Sequence, residues 1–378
     1  MAISKIPAAG YENPKSNRNI IINGDMRIAQ RATSATTFDG TYQTVDRYTF
    51  DENLGTGTAT SEQVTESSGG AYENGFTKAV KISCTTADAS PSVDERAYMQ
   101  QSIEGQFLQS LQYGTSQAKT ITLSFWAQSN MTGNFPVTIK KDDNTIHYIV
   151  HSFNITSADT WQKFTFTITP TQGSTNLITQ SAAKINDDNG RGMQIFWGLY
   201  WGSNYTGSYS GTPTWTTTSN DFADSDVTYN NFFSSTDNYL KITGVQLEVG
   251  SSASDFEFVP HDVSLQKCRR YYLPLNKADA TQYIANAFLY SSTHLKVHIE
   301  PTTDFRATPS ISQSNSSNWM IFYANGTNMN LSSTFILDGT SSTRFISLYM
   351  TSGVSGTAGH AGGLYGNSTG EFALEAEL

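Results

Sequence analysis

The sequence predicts an all-β protein on two observations, its composition and the period of its hydrophobic residues. The 378 residues include 21 Phe, 19 Tyr, 6 Trp and 29 Gly, while only 15% are charged. Aromatic residues and Thr favour strands, and Gly, Asn and Ser favour turns, so this mixture is typical of strands joined by polar turns. The aromatic residues also supply apolar surface for packed cores, which a disordered polar chain lacks. At this length we expect two domains.

Alternation of apolar and polar residues, the pattern of half-buried strands, recurs along the first two thirds of the chain. It is found at 48–50, 79–84, 120–126, 164–168, 194–197 and 240–249. Turn-rich segments separate these runs, which favours an antiparallel sandwich or jelly roll. Residues 94–111 have near-helical spacing interrupted by Gly105. A helix and a strand followed by a short helical turn both stay open there.

The predicted organisation is an arm, an N-terminal jelly-roll β-sandwich, a short connecting helix and a second, smaller β-sandwich domain. Pro7, Gly10 and Pro14 disfavour regular structure in the arm, residues 1–18. The jelly-roll domain covers 19–260, and the helix covers 261–272, where apolar residues recur every three to four positions. The second domain covers 273–378, with strands predicted at 282–289, 294–300, 318–323, 344–350 and 371–378. Its Gly-rich segment 351–370 is predicted to be a mobile or ligand-facing tip.

Charge and cysteine usage exclude several classes of partner. The net charge is −10 and no run of Lys or Arg occurs, so we expect no nucleic acid partner. No stretch reaches the roughly 18 apolar residues of a membrane span, and the N-terminus lacks the pattern of a signal peptide. We therefore expect no membrane insertion. Cys84 and Cys268 lie far apart and are expected to be buried free thiols.

The sequence carries no recognisable catalytic motif. It has no Gly-rich phosphate loop, no His-Glu-x-x-His helix and no Gly-x-Ser-x-Gly elbow. His147/His151 and His294/His298 are each four residues apart in strand-like sequence, which separates them by roughly 13 Å, too far for one metal ion. A distant carboxylate pair for glycoside hydrolysis leaves no local signal, but the repetitive strands of depolymerase spikes are missing. We expect no enzymatic activity.

An aromatic run at 196–205, followed by two more aromatic residues, is the first candidate ligand site. Aromatic faces stack against the C–H groups of sugars, and amide side chains bond their hydroxyls. Tyr205, Tyr209 and Trp215 are the candidate contacts, whereas Trp197 is expected in a core strand. The alternative is that these residues cover a sandwich edge. A second candidate group lies in the C-terminal loops: Trp319, Tyr323, Tyr349, His360 and Tyr365.

Several segments, in order, resemble a family of phage tail-fibre and virion structural proteins. They are 19–26 (NIIINGDM), 45–48 (VDRY), 122–129 (TLSFWAQS), 160–163 (TWQK), 243–250 (TGVQLEVG), 256–260 (FEFVP) and 268–272 (CRRYY). Beyond residue 272 the resemblance is thinner, at 305–309 (FRATP) and 374–378 (LEAEL). The resemblance implies a first domain akin to carbohydrate-binding modules and a distal, receptor-side second domain.

The same resemblance implies partners and a location. Such fibres are homotrimers, the arm docks into other virion proteins, and the ligand is a host surface glycan. The protein is then a virion component made in the host cytoplasm and released by lysis. A capsid decoration or head-fibre protein and a polysaccharide-degrading spike are the alternatives. We expect no cofactor; the alternative is a structural calcium ion held by Asp25 of the Asn-Gly-Asp turn and by Glu248 on the last strand of the first domain.

Overall fold

The computed structural model describes residues 17–36, 38–209, 211–277, 281–314 and 320–378. These residues form two compact, almost entirely β-stranded units. Unit 1 ends at Val259 and unit 2 begins at Pro260, but two N-terminal segments, Ile28–Thr33 and Tyr42–Arg47, also belong to unit 2. The predicted arm 1–18 lies outside the described residues except for its last two.

Unit 1 is built from two six-stranded antiparallel sheets, with strands numbered in chain order. Sheet I runs, in spatial order, β1 (Ser34–Ala35), β4 (Thr58–Thr65), β5 (Lys78–Thr86), β14 (Tyr239–Val249), β7 (Ile121–Ser129) and β10 (Gln162–Ile168). Sheet II runs β2 (Asp39–Tyr42), β3 (Tyr48–Asn53), β6 (Arg96–Glu104), β11 (Arg191–Trp201), β8 (Gly133–Lys141) and β9 (His147–Ile155). All six strands predicted from alternation are present.

The core of unit 1 lies between the inner faces of these sheets. Phe125 of sheet I and Trp197 of sheet II are both fully buried, with ring centroids 5.9 Å apart in an edge-to-face arrangement. The predicted core position of Trp197 is confirmed. Because side chains alternate across a strand, the neighbouring residues Trp126 and Phe196 point to the outer faces of the two sheets.

Short elements connect these strands. A five-residue helix α1 (Gly69–Glu73) precedes β5, and a parallel pair, β12 (Thr206–Gly207) and β13 (Ala223–Asp224), follows β11. Short 3-10 turns occupy Gly105–Leu111, Gln172–Ser174, Leu177–Thr179, Ser181–Ala183, Ser203–Tyr205 and Phe232–Ser234. Residues 94–111 are thus a strand followed by a helical turn, which was one of the two predicted alternatives.

The N-terminal segment 19–26 is fixed against a bulge in β14. The register of β14 with β7 shifts between Thr243 and Gln246. The amide of Asn19 donates to the Val245 carbonyl at 3.1 Å, and Val245 N donates to the Gly24 carbonyl at 2.9 Å. A Cβ at Gly24 would lie 2.0 Å from the Val245 oxygen, so this turn requires glycine. The Asn-Gly-Asp turn therefore serves to pair with the bulge.

Unit 2 contains a helix and two sheets that enclose one hydrophobic core. Helix α2 covers His261–Arg269, within the predicted 261–272. Sheet III runs β15 (Tyr272–Asn276), β24 (Phe372–Glu375) and β18 (Ser310–Gln313). Sheet IV runs β20 (Thr327–Leu331), β19 (Met320–Ala324), β23 (Ala361–Gly366), β16 (Gln282–Leu289), β17 (Leu295–Ile299), β22 (Ile346–Met350) and β21 (Ile336–Leu337). The fold class is confirmed: a jelly-roll sandwich, a short helix and a smaller β-sandwich.

The Gly-rich segment 351–370, which the sequence predicts to be a loop tip, is in part a strand. It contains β23, an inner strand of sheet IV between β19 and β16. A Cβ at Gly362 would lie 1.9 Å from the backbone oxygen of Tyr323 on the next strand. Glycine is required at residue 362 because the two backbones approach closely there.

Two arginines from the N-terminal segments of unit 2 contact its last residues. The guanidinium of Arg47 forms an ion pair with Glu377 and lies 3.5 Å from the ring centroid of Tyr271. Arg31 lies 3.7 Å from the ring centroid of Tyr272 and 3.1 Å from Glu377. We call Arg31, Arg47, Tyr271, Tyr272 and Glu377 the arginine cluster.

Two predictions on single features are also tested by the structure. Cys84 and Cys268 are buried, and neither forms a disulfide bond within the described residues, as predicted. Within the described part of the chain, no helix is long and apolar enough to cross a bilayer.

Candidate functional site

A cleft of about 310 Å³ opens in unit 1 beside the end of β11. We call it the first cleft. Three aromatic residues and a larger number of small polar residues line it. The lining residues are Pro136, Leu199, Tyr200, Trp201, Ser203, Thr206, Asp224, Ser225, Val227, Tyr229, Asn230 and Asn231.

A bulge in β11 sets the direction of Trp201. The register of β11 with β6 shifts between Gly198 and Tyr200, which reverses the alternation of faces after that point. Trp201 therefore lies on the outer face of sheet II, stacked between Tyr98 (5.0 Å between centroids, 13° between planes) and Phe222 (4.5 Å, 9°). A ring held on both faces is rigid, so it forms a fixed wall of the cleft.

The opposite wall is fixed by hydrogen bonds. Asp224 is buried, and its Oδ1 accepts from the backbone amides of Asp226 (3.0 Å) and Tyr209 (3.4 Å). The hydroxyl of Tyr229 lies 2.7 Å from Ser152 Oγ and accepts from Asp224 N at 3.3 Å. Burial raises the pKa of Tyr229 above its ordinary value, so its hydroxyl stays protonated. This wall is preformed without a ligand.

Two residues that line the cleft each have a buried donor without an acceptor. Trp201 Nε1 and Asn230 Nδ2 make no hydrogen bond within the described structure. A buried polar group left without a partner costs about 1–3 kcal/mol. Ligand oxygens that accept from these two groups would recover that cost, so the cleft is suited to a ligand rich in hydroxyl groups.

The predicted contacts Tyr205 and Tyr209 lie near this cleft but do not line it. The ring of Tyr205 is 5.7 Å from that of Trp201, and its hydroxyl accepts from Arg96 Nη1 at 2.9 Å. The hydroxyl of Tyr209 donates to Asp221 Oδ2 at 2.9 Å. Burial, together with Asp221, raises the pKa of Tyr209. Both tyrosines therefore stabilise the segment that follows β11 and do not contact the interior of the cleft.

The structure corrects the prediction for Trp215. Its side chain is 1% exposed, and its Nε1 donates to the backbone oxygen of Thr169 at 2.9 Å. Tyr113 packs edge-to-face on its ring at 6.3 Å. A residue enclosed in this way is part of the core and presents no face to a ligand.

The other predicted contacts belong to unit 2. Tyr365 lies on β23, half-buried, with its ring 5.3 Å from that of the exposed Tyr283. His360 immediately precedes this strand, and its carbonyl accepts from Leu289 N at 2.8 Å. Trp319, named with them in the sequence, lies outside the described residues. Their role as ligand contacts stays a prediction.

The two candidate calcium ligands are already bonded to protein groups. Asp25 pairs with Arg27. Glu248 accepts from Ser254 N at 2.9 Å and from Ser254 Oγ at 2.6 Å. Across the described ranges, no three His, Cys, Asp or Glu side chains are grouped so as to hold a metal ion. Calcium at Asp25 and Glu248 stays a prediction.

The sequence indicates the aromatic run that supplies Tyr200 and Trp201, but not the polar wall at 224–231. That wall comes from a segment without periodic pattern, whose position depends on pairing with β8. One bridge, between Asn134 and Tyr229, makes this contact. The bulge in β11 likewise has no signal in the sequence.

Comparison with known proteins adds the following. No protein-family model matches the chain, and no curated protein matches it. A crystal structure of a putative sugar binding protein from Bacteroides thetaiotaomicron aligns at 14% identity and a TM-score of 0.30, covering 61% of this chain and 100% of that one. The enzymatically active domain of tailspike protein 4 from bacteriophage CBA120 aligns at 12% identity and a TM-score of 0.29, covering 62% of this chain and 22% of that one.

A family 11 carbohydrate-binding module from Clostridium thermocellum, in complex with a β-1,3-1,4-mixed-linked tetrasaccharide, also aligns. The identity is 9% and the TM-score 0.28, covering 59% of this chain and 99% of that one. At these TM-scores the likenesses carry no argument about function, which has to rest on the residues of this chain.

Proposed function

We propose that this protein binds a glycan in the first cleft without enzymatic activity. The observation that carries the proposal is the pair of unpartnered donors, Trp201 Nε1 and Asn230 Nδ2, on two residues that line an aromatic cleft of about 310 Å³. Sugar oxygens can accept from such donors, while the apolar C–H groups of a sugar can pack against the edge of Trp201 and the other aromatic residues of the lining.

The charge of the cleft favours an uncharged sugar. Among the acidic and basic residue types, Asp224 alone is present in its lining, and its buried carboxylate already accepts two backbone amides. A neutral sugar leaves this charge undisturbed. An acidic sugar would be repelled by Asp224 without any lining cation to offset the repulsion.

We further propose that the setting is a phage virion, with the protein as a homotrimeric tail fibre that attaches the particle to host surface glycans. The support for this is the ordered resemblance of segments 19–26 to 268–272. Several copies on one fibre would convert weak sugar binding into firm attachment. The N-terminal arm, residues 1–18, would dock into other virion proteins.

The test is binding of the labelled protein to an array of bacterial surface polysaccharides and neutral oligosaccharides. Asn230→Ala removes one donor and should weaken binding about fivefold, the value of one hydrogen bond. Asn53→Ala, an exposed asparagine at the end of β3, is the matched control and should bind as the wild type does.

Equal binding by wild type and Asn230→Ala would reject the first cleft as the site. Release of reducing sugar from a bound polysaccharide would replace the binding proposal with a hydrolase. A protein that binds purified capsids and no glycan would favour the capsid-decoration alternative.

A further inference from the structure

A second cleft, of about 360 Å³, opens on the outer face of sheet I. It is separate from the first cleft, since the two share no lining residue. Four aromatic residues and several polar residues surround it. The lining residues are Asn74, Phe76, Ser124, Trp126, Lys163, Gly244, Asp255, Phe256 and Phe258.

Two glycines make room for the indole of Trp126. A Cβ at Gly244, which has φ +63°, would lie 3.0 Å from Trp126 Cδ1 and 2.7 Å from Phe76. A Cβ at Gly70 would lie 3.1 Å from Trp126 Cζ3. The indole is therefore positioned at both of its ends by bare backbone, and it stays partly exposed to solvent.

Three phenylalanines form the other wall. The ring centroids of Phe76, Phe256 and Phe258 lie 4.8–5.1 Å from one another. Phe258 is 48% exposed, which is costly for a large apolar side chain without a partner. Mutual packing holds these rings in place, so the cleft is formed before any ligand arrives.

Polar groups without partners accompany these rings. Ser124 is 3% exposed, and neither its hydroxyl nor Trp126 Nε1 makes a hydrogen bond among the described contacts. Lys163 lies directly opposite Trp126 in the β10–β7 register. In the described part of the chain, neither the Lys163 ammonium nor the Asp255 carboxylate forms an ion pair. All four groups reach solvent, and an apolar ligand would offer none of them a hydrogen bond.

Four segments of the sequence that show the family resemblance meet at this cleft. Segment 122–129 supplies Ser124 and Trp126, and segment 160–163 supplies Lys163. Segment 243–250 supplies Gly244, and segment 256–260 supplies both Phe256 and Phe258. The first cleft uses none of these segments.

We propose that the second cleft binds a saccharide unit, which makes unit 1 a bivalent glycan binder with one site on each sheet. The sugar ring lies against Trp126, and its hydroxyls bond to Ser124, Lys163 and Asp255. One cation and one carboxylate balance in charge, so a neutral sugar suits this cleft too. The choice of ligand class rests on the proposed function, whereas the cleft itself is independent of it.

The experiment combines Trp126→Ala with Asn230→Ala on the same array of bacterial surface polysaccharides and neutral oligosaccharides. Trp126→Ala should weaken binding about tenfold, the value of one aromatic contact, and the double variant should weaken it further. Calorimetric titration with a short oligosaccharide hit should give two sites per wild-type chain, and each single variant should weaken one of the two sites while leaving the other unchanged. Lys163→Ala, at an exposed position, repeats the test without altering the packing of the sheet.

The outcomes separate the two proposals. If Trp126→Ala and Lys163→Ala bind as the wild type while Asn230→Ala is weakened, the second site is refuted and the first cleft stands. If both second-cleft variants are weakened and Asn230→Ala is not, the second site stands and the first cleft is refuted. If the wild type binds nothing on the array, both are refuted.

Discussion

Replacing Glu377 by Gln should destabilise unit 2 by about 3 kcal/mol, the low end of the cost of breaking a buried ion pair. The carboxylate of Glu377 pairs with Arg47 and lies 3.1 Å from Arg31. The side chain of Arg47 is 1% exposed and that of Glu377 is 13% exposed. Glutamine keeps the shape of the side chain but leaves the arginine charge inside without its counterion.

The size of this destabilisation depends on how deeply the charge of Arg47 is buried. Burial lowers the pKa of Arg47, but Glu377 and the neighbouring phenols raise it more, so the net shift is upward. Losing one partner of a buried pair costs about 3–5 kcal/mol. We take the lower figure because Glu377 reaches some solvent and because the stacking of Arg47 on Tyr271 remains. For a unit of this size the melting temperature should fall by about 10 °C.

Scanning calorimetry of the full chain measures this, with Asp304→Asn as the matched control. Asp304 pairs with Arg344 at 3.2 Å in the same unit, but the two side chains are 53% and 77% exposed. Water screens such a pair, so the control should melt as the wild type does. If Glu377→Gln melts at the same temperature as Asp304→Asn, the buried pair does not stabilise unit 2 and the reasoning is refuted.

Three further predictions concern other parts of the chain. Burial lowers the pKa of His151 to about 4. As the pH falls from about 6.5 to 4, His151 is therefore protonated in the unfolded chain before it is protonated in the folded one. The free energy of unfolding should drop by about 3 kcal/mol over this range. In urea melts at about pH 7 and pH 4, the free energy of unfolding of His151→Phe should fall less between the two pH values than that of the wild type. An equal fall in both proteins would contradict this role of His151. Gly362→Ala should destabilise unit 2 by more than about 2 kcal/mol because its Cβ meets a backbone oxygen at 1.9 Å, whereas Gly339→Ala, with nothing within 4 Å, should be neutral in the same thermal melt. Excess EDTA should leave the melting temperature unchanged because protein donors already occupy Asp25 and Glu248, and a fall with EDTA or a rise on adding calcium would contradict this expectation.

The strands of unit 1 could be predicted because each sheet has one face in the core. That arrangement forces alternation, which is visible in single segments such as 120–126 and 164–168. Which strand lies beside which depends on contacts between distant segments, and alternation does not encode it. No pattern in the sequence predicts the bulge in β11 that turns Trp201 outward, because a bulge inserts one residue without changing the composition of the strand.

The predictions for β23 and for Trp215 were wrong for opposite reasons. Glycine has a low strand propensity, so β23 resembles a loop, although Gly362 is there to let two backbones approach. Trp215 resembles a sugar contact because polar residues surround it in sequence, whereas its neighbours in space are Tyr113 and a backbone carbonyl. Composition gives the types of residue that contact a sugar, but not which of them face solvent.

The arginine cluster also constrains the order in which the protein reaches its final form. Arg47 and Glu377 are 330 residues apart in the chain, and Arg31 is further still from the same carboxylate. A contact across such a separation carries a large entropic cost until the intervening strands have paired. We therefore expect unit 2 to close late in folding, when Ile28–Thr33 and Tyr42–Arg47 join the placed strand β24. During refolding, the signals of unit 2 should thus lag behind those of the sandwich in unit 1. A fragment starting at residue 260 would lack both arginines and could not complete this closure.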